Sequence, residues 1–389
     1  MNDGSADDHG DLVTGGGRTL DELKQEVLRR VERGLTPVTG IKVEDARSAL
    51  SSIDSLSREQ WAQAWSAVAE RHYAAAQAAE STDPERAAQS YWNAWRLHHF
   101  ARWPTENTPA KRHAKERALI AFRAYARLLR PAIDVIRIPF EGKEIVAYLR
   151  LPERVRPAPI VLGISGLDSR KEDVVAHTDG YLKHGLAIMA VDMPGTGESP
   201  IAAARPDSDR VFSAVIDYLQ TRPEVDAKRI LVQGRSFSGH WAAKLAYTER
   251  TRLRGCVVHG GGVHKSFQRA WAEPALKTGE YLYDYLEARR GMVGASDAED
   301  LYRKIAGFSL MDQGLVDQPS APMLVVNGWL DSQTTCEDVF VLLQHGDAKD
   351  AWVNPKGRHM GRSAEWPGSR IQEEVLMPWM LKHLQERDS

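Results

Sequence analysis

The chain has 389 residues, 42% apolar and 27% charged, with 11 Trp and a formal net charge of −2. That is material for a large core of roughly 250 residues plus a helical element of about 100. The near-neutral balance, with no segment pairing an aromatic platform with a dense basic stripe, excludes a nucleic-acid partner. No apolar run approaches the roughly 18 residues that span a bilayer, which excludes a membrane partner.

Taken in chain order, Met1 to Asp11 is acidic and lacks the basic and apolar regions of a secretory signal. Residues 1–18, polar and with Gly15, Gly16 and Gly17 in succession, read as a disordered tail. Residues 19–131 read as a helical region. Leu20, Leu23, Val27 and Val31 share one helix face, Trp61, Trp65, Val68 and Tyr73 another, and Asp83-Pro84 announces a further helix. From Lys111 to Arg130, Leu119, Ile120, Phe122, Tyr125 and Leu128 recur at spacings near three and four, which reads as an amphipathic helix with a solvated basic face.

The texture changes at Pro131. Ile133–Pro139 and Glu144–Leu151 are β-rich runs around the turn Glu141-Gly142-Lys143, a hairpin. Apolar strands follow at Ile160–Ile164, Ala187–Asp192, Ile230–Gln233, Gly255–His259, Met323–Val326 and Ala351–Val353. Helical patterns separate them at Asp173–His184, Asp209–Leu219, Trp241–Tyr247 and Glu337–Leu343. Residues 132–389 are therefore expected to form an eight-stranded, mostly parallel α/β sheet. Residues 263–318 interrupt the rhythm with a helical insertion, placed over the sheet's C-terminal edge, where such folds bind ligands. The two cysteines, Cys256 in a strand-like run and Cys336 beyond a loop, read as free thiols of a reducing, cytoplasmic compartment.

The sharpest local signal is Ile230-Leu231-Val232-Gln233-Gly234-Arg235-Ser236-Phe237-Ser238-Gly239-His240, a strand ending in a small-residue turn that opens a helix. It reads as a nucleophile elbow of the α/β-hydrolase fold with Ser236 as nucleophile, although Ser238 stands where the pattern has Gly. The chain order serine, acid, histidine of that fold is met by Asp331 after the seventh strand and His359 after the eighth. In that scheme His359 is the general base, and Asp331 orients it and stabilises its charged form. The oxyanion donors are then the backbone N–H groups of Phe237 and of Leu167, in the loop after the third strand.

His259-Gly260-Gly261-Gly262 spells a lipase oxyanion motif, yet it follows the elbow instead of preceding it. Its glycines are read as letting the backbone pass close to the active site. Asp192-Met193-Pro194-Gly195-Thr196-Gly197-Glu198-Ser199 lacks the Lys-Ser/Thr of a phosphate loop and reads as the turn after the fourth strand. His98 and His99 are adjacent and point to different sides of a helix, so no metal is expected. Trp95, His99, His264 and Trp329 are carried as weaker substrate-binding candidates.

Four segments together resemble the FrsA-like hydrolases: Ile138 to Gly142 with Tyr148-Leu149, Gly166 to Glu172, Asp192 to Glu198, and Gly234 to Gly239. That group includes bacterial 2,6-dihydroxypseudooxynicotine hydrolase and fungal polyketide-shortening hydrolases. The resemblance runs over roughly residues 85–385. It implies that the N-terminal helical region forms a cap together with the insertion, and that the protein is a homodimer. It also implies hydrolysis, without a cofactor, of a C–C bond adjacent to a ketone in a small aryl or polyketide β-dicarbonyl substrate, and it carries the triad onto Ser236, Asp331 and His359. Two alternatives stay open: a carboxylesterase or lactonase using the same triad, and a non-catalytic ligand-binding protein on a hydrolase scaffold.

Overall fold

Residues 10–385 are described by a computed structural model. The change of texture at Pro131 is a change of unit: residues up to Ala132 group with Gly279–Ala288, and Ile133–Thr278 with Arg289 onward.

The helical unit contains α1 (Leu20–Glu32), α2 (Val43–Ser51), α3 (Arg58–Ala79), α4 (Pro84–Ala101) and α5 (Pro109–Leu128). Its starts are written locally. Thr19 and Glu22 form a capping box on α1, and Asp83 accepts the Arg86 N–H at 3.1 Å ahead of Pro84. Trp61, Trp65 and Trp95 are fully buried, with edge-on rings such as Trp65–Phe100 at 4.7 Å and Trp95–Phe122 at 4.9 Å.

Two expectations for this unit need correction. The tail was placed through residue 18, but residues 10–18 are held by backbone pairing: Leu12 N–H donates to Leu56 O and Gly15 N–H to Leu282 O, each at 2.8 Å. Residues 1–9 lie outside the described residues. On α5 the buried face is Ala114, Ala118, Ala121, Phe122 and Ala126, while Ile120 is exposed. Alanines let the backbone approach the bulky aromatic face of α4, which longer side chains would hold off. Lys111, read as part of the solvated face, is fully buried, with its Nζ 3.2 Å from Asp284 Oδ2.

Asp284 is the polar centre of the helical unit. Arg58 meets both its oxygens, at 2.8 and 3.0 Å, and Val13 N–H donates to Oδ1 at 3.0 Å. Burial alone would raise its pKa, but the Arg58 and Lys111 charges overcome that and hold the carboxyl below its ordinary range. Burial takes the Lys111 ammonium the other way, down to about 8.

The second unit is built on one sheet of eight strands in the order β1-β2-β4-β3-β5-β6-β7-β8. These are β1 (Asp134–Phe140), β2 (Lys143–Arg150), β3 (Ala158–Ile164), β4 (Ala187–Val191), β5 (Val225–Arg235), β6 (Gly255–His259), β7 (Met323–Gly328) and β8 (Asp350–Asn354). β1 and β2 pair antiparallel across a two-residue turn, β2 pairs antiparallel with β4, and every later pairing is parallel. This is the α/β-hydrolase fold, and all eight expected strands are present.

Boundaries differ where polarity hid them. β5 begins at Val225, ahead of the polar Asp226 and Lys228, and its register with β3 shifts between Ala158 and Ile160. The single helix expected at Asp173–His184 is two, α6 (Lys171–Val175) and α7 (Asp179–Lys183), because the Thr178 hydroxyl donates to Val175 O at 2.7 Å between them. α8 (Arg210–Gln220) and α9 (Gly239–Thr248) follow, then short helices at Arg269–Ala275, Tyr285–Val293 and Ala298–Ala306 within the insertion, and Glu337–Gln344 after β7. Among the described residues no helix is long and apolar enough to cross a membrane.

Candidate active site

Ser236 sits between β5 and α9 with φ of 55°, the left-handed conformation that only a tightly held non-glycine residue keeps. The turn folds back so sharply that a Cβ on Gly234 would lie 1.8 Å from Ser238 O, so glycine is required there. Ser238, the departure from the usual elbow pattern, is fully buried, and its hydroxyl donates to Ser165 O at the end of β3. The extra hydroxyl thus ties the elbow to the loop expected to supply the second oxyanion donor.

A chain of hydrogen bonds leads away from the nucleophile. Ser236 Oγ lies 2.7 Å from His359 Nε2, and His359 Nδ1 lies 2.8 Å from Asp331 Oδ2. Asp331 and His359 are both buried. The other Asp331 oxygen, Oδ1, accepts the N–H groups of Gln333 and Thr334 at 2.8 and 3.0 Å, which fixes the plane of the carboxylate. The acid and histidine loops are joined by their backbones: Leu330 N–H donates to Gly357 O and Trp329 N–H to Asn354 O, each at 2.9 Å.

The loop after β3 reaches the nucleophile. A Cβ on Gly166 would lie 3.1 Å from Ser236 Cβ and from Arg235 O. What holds this loop was not visible in the sequence. Lys171, at its end, is fully buried and places its Nζ 3.0 Å from Asp192, 3.0 Å from Glu172 and 2.7 Å from Glu198. Its backbone N–H also donates to Asp192 Oδ1 at 2.8 Å. Burial would strip the lysine's proton, but Asp192 and Glu172 outweigh it and keep the ammonium well above its ordinary range. Burial raises Glu172, whereas at Asp192 the Lys171 and Arg170 charges win and lower it. Two segments quoted above for their family resemblance, Gly166–Glu172 and Asp192–Glu198, are thereby locked to one another.

Phe237, the residue after the nucleophile, packs against Phe267 at 5.9 Å and Phe308 at 6.0 Å, both from the insertion. His264, near these rings, has Nδ1 2.7 Å from Ser309 Oγ, and its N–H donates to Asp338 at 2.9 Å. Trp329 is 58% exposed, with its ring edge-on to Phe340. Trp95 and His99 belong to the helical unit. Trp95 is fully buried core among Trp92, Phe122 and His99, and His99 Nε2 accepts from Arg102 at 2.8 Å. The His259-Gly260-Gly261-Gly262 run passes against the start of α9, where a Cβ on Gly261 would fall 2.2 Å from the Gly239 carbonyl carbon.

The family model described as Esterase FrsA-like matches residues 47–354. The chain belongs to the FrsA-like family. Over 273 residues it is 28% identical to the Esterase FrsA of Vibrio vulnificus, a stretch covering 69% of this chain and 64% of that protein, just under two thirds of the relative's length. The crystal structure of 2,6-dihydroxy-pseudo-oxynicotine hydrolase shares its fold, with a TM-score of 0.74 and 21% identity over 89% of this chain and 94% of the other. Wild-type AbyA5 does likewise, with a TM-score of 0.73 and 21% identity over 94% and 95%. Both place this FrsA-like chain in the α/β-hydrolase fold that its strand order describes.

Proposed function

We propose that this FrsA-like protein is a serine hydrolase that cleaves a C–C bond adjacent to a ketone, in a small aryl or polyketide-type β-dicarbonyl substrate. The observation that carries the reading is the hydrogen-bonded chain from Ser236 through both His359 nitrogens to Asp331. His359 Nε2 takes the serine proton as Oγ attacks the ketone carbon, and Asp331 holds the Nδ1–H of the imidazolium that forms. The backbone N–H groups of Phe237 and Leu167 receive the oxyanion. Collapse breaks the C–C bond, the electron pair leaves as the enolate of the neighbouring ketone, and His359 Nε2–H protonates it. Ser236 keeps the acyl group until a water, deprotonated by His359, releases it as the carboxylic acid. One water is consumed and no electron carrier is needed.

The C–C bond is supported by the resemblance of the four motif segments, and the fold by the neighbour named as 2,6-dihydroxy-pseudo-oxynicotine hydrolase. A carboxylesterase is the second reading, because the sequence relatives carry the name Esterase FrsA; the same residues act, with an alkoxide as leaving group. The reading includes a cytoplasmic homodimer, which light scattering on purified protein tests for its dimeric part. The deciding experiment is a product assay of wild type and Ser236→Ala on aryl esters, lactones and aryl β-diketones. Diketone cleavage that vanishes in the variant is the expected result. Efficient ester cleavage with diketones untouched selects the esterase, and absence of fluorophosphonate labelling on folded protein selects a binding scaffold.

A further inference from the structure

Met360, directly after His359, has φ of 63° and ψ of 23°, a left-handed conformation disfavoured for any side chain larger than glycine. Such a residue persists only where its surroundings over-determine it. Its carbonyl oxygen lies 2.9 Å from His259 Nε2. A carbonyl only accepts, so that nitrogen carries the proton. His259 is buried, and burial takes its pKa down to about 3, so the ring stays neutral with one proton to give. Its backbone is anchored as the last residue of β6, paired with Arg235 of β5 on one side and Val326 of β7 on the other. β6 therefore runs between the strand that delivers Ser236 and the strand that leads to Asp331. Gly260 adds a steric seat: a Cβ there would lie 2.7 Å from Met360 Cγ and 3.2 Å from its Cα.

We propose that His259 is a positioning residue for His359: its Nε2–H pins the Met360 carbonyl and so fixes the kink that aims the base at Ser236 and Asp331. This rests on the triad reading above. The motif that looked like an oxyanion run thus acts on the base instead. Without the bond Met360 can relax toward ordinary φ, and His359 must then swing away from two contacts that each require hydrogen-bonding distance. Misplacement by about 1 Å is enough to lower a rate by about 100-fold.

The test compares His259→Leu, which fills the space without a donor, His259→Asn, whose amide stops short of Met360, and His259→Gln, whose amide reaches it. Each is assayed on an ester or diketone that wild type turns over, below its melting temperature. The expected result is kcat lowered about 100-fold in H259L and H259N at nearly unchanged KM, with H259Q recovering most of the loss. H259N against H259Q carries the test if H259L does not fold. Wild-type kcat in folded H259N, or no recovery in H259Q, overturns the proposal while Ser236→Ala is inactive. Activity surviving in Ser236→Ala instead overturns the hydrolase reading on which it stands.

Discussion

Asp331 uses its two oxygens for different tasks, and a single substitution separates them. Oδ1 takes two backbone N–H groups and Oδ2 takes His359 Nδ1–H. In Asp331→Asn the amide oxygen stays on the backbone donors, since the NH2 cannot accept from them, and the NH2 then faces His359. The imidazole must turn to its other tautomer, with Nε2 protonated toward Ser236 and unable to receive the serine's proton. The expected outcome is a fall in kcat of about 10⁴-fold with the melting temperature nearly kept; steady-state kinetics beside a thermal melt check it. A kcat within tenfold of wild type would remove Asp331 from the triad.

At the scale of elements, the cluster around the buried Lys171 shifts two carboxyls in opposite directions. Glu172 is pushed up by burial, so its contribution to stability is complete below the ordinary glutamate value of 4.5 and is lost as pH rises through its raised native value. Asp192 is held down by Lys171, so its contribution is present above 3.8 and is lost as pH falls through its lowered native value. Glu172→Gln keeps the side chain's shape and leaves Asp192 and Glu198 on Lys171, and is therefore expected to cost less at pH 7 than the loss of the Asp192 carboxylate. Asp192→Asn removes a partner from a buried ammonium and is expected to lose about 3–5 kcal/mol at pH 7, with the difference shrinking below pH 4. Calorimetry at the two pH values checks both, and a loss in Glu172→Gln as large as in Asp192→Asn would contradict the ranking.

These loops also mark how far the sequence could be read. The strands were legible because unbroken runs such as Ile160–Ile164 have no other use for so many β-branched and aliphatic residues. The elbow was legible because strain, small neighbours and a following helix all leave local traces. Lys171 and Lys111 were not, since a lysine's burial depends on carboxylates distant in sequence: Asp192 and Asp284 lie 21 and 173 residues away. His259 was read for its glycines, because its partner, the Met360 carbonyl, is 101 residues on and carries no side-chain signature.

At the scale of the molecule, the segment Gly279–Ala288 is the helical unit's share of a chain otherwise committed to the sheet. Tyr283 is fully buried with Trp61 at 5.4 Å and Trp103 at 4.9 Å, Tyr281 stacks on Trp103 at 4.8 Å, and Asp284 takes Arg58 and Lys111. Asp284→Ala leaves those two cations without their carboxylate and is expected to cost about 3–5 kcal/mol. Lys111→Met leaves Asp284 on Arg58 and is expected to cost clearly less. Thermal melts of the two variants rank them, and the reverse order would sink this account of the cluster. Residues 133–389 expressed alone would present Tyr281, Leu282 and Tyr283 to water, and soluble yield is expected to collapse; a monodisperse, folded product would contradict this.

The same segment sets a schedule for birth on the ribosome. The five helices emerge first, yet the short segment that fills their aromatic centre is translated only after 146 further residues of sheet unit, counted from Ile133 to Thr278. At synthesis rates of about 5–20 residues per second the nascent helices must wait roughly 7–30 seconds for Tyr283 and Asp284. During that interval Trp61, Trp103 and Lys111 lack their native neighbours, so chaperone capture of this nascent chain should peak before residue 288 emerges and fall sharply after it.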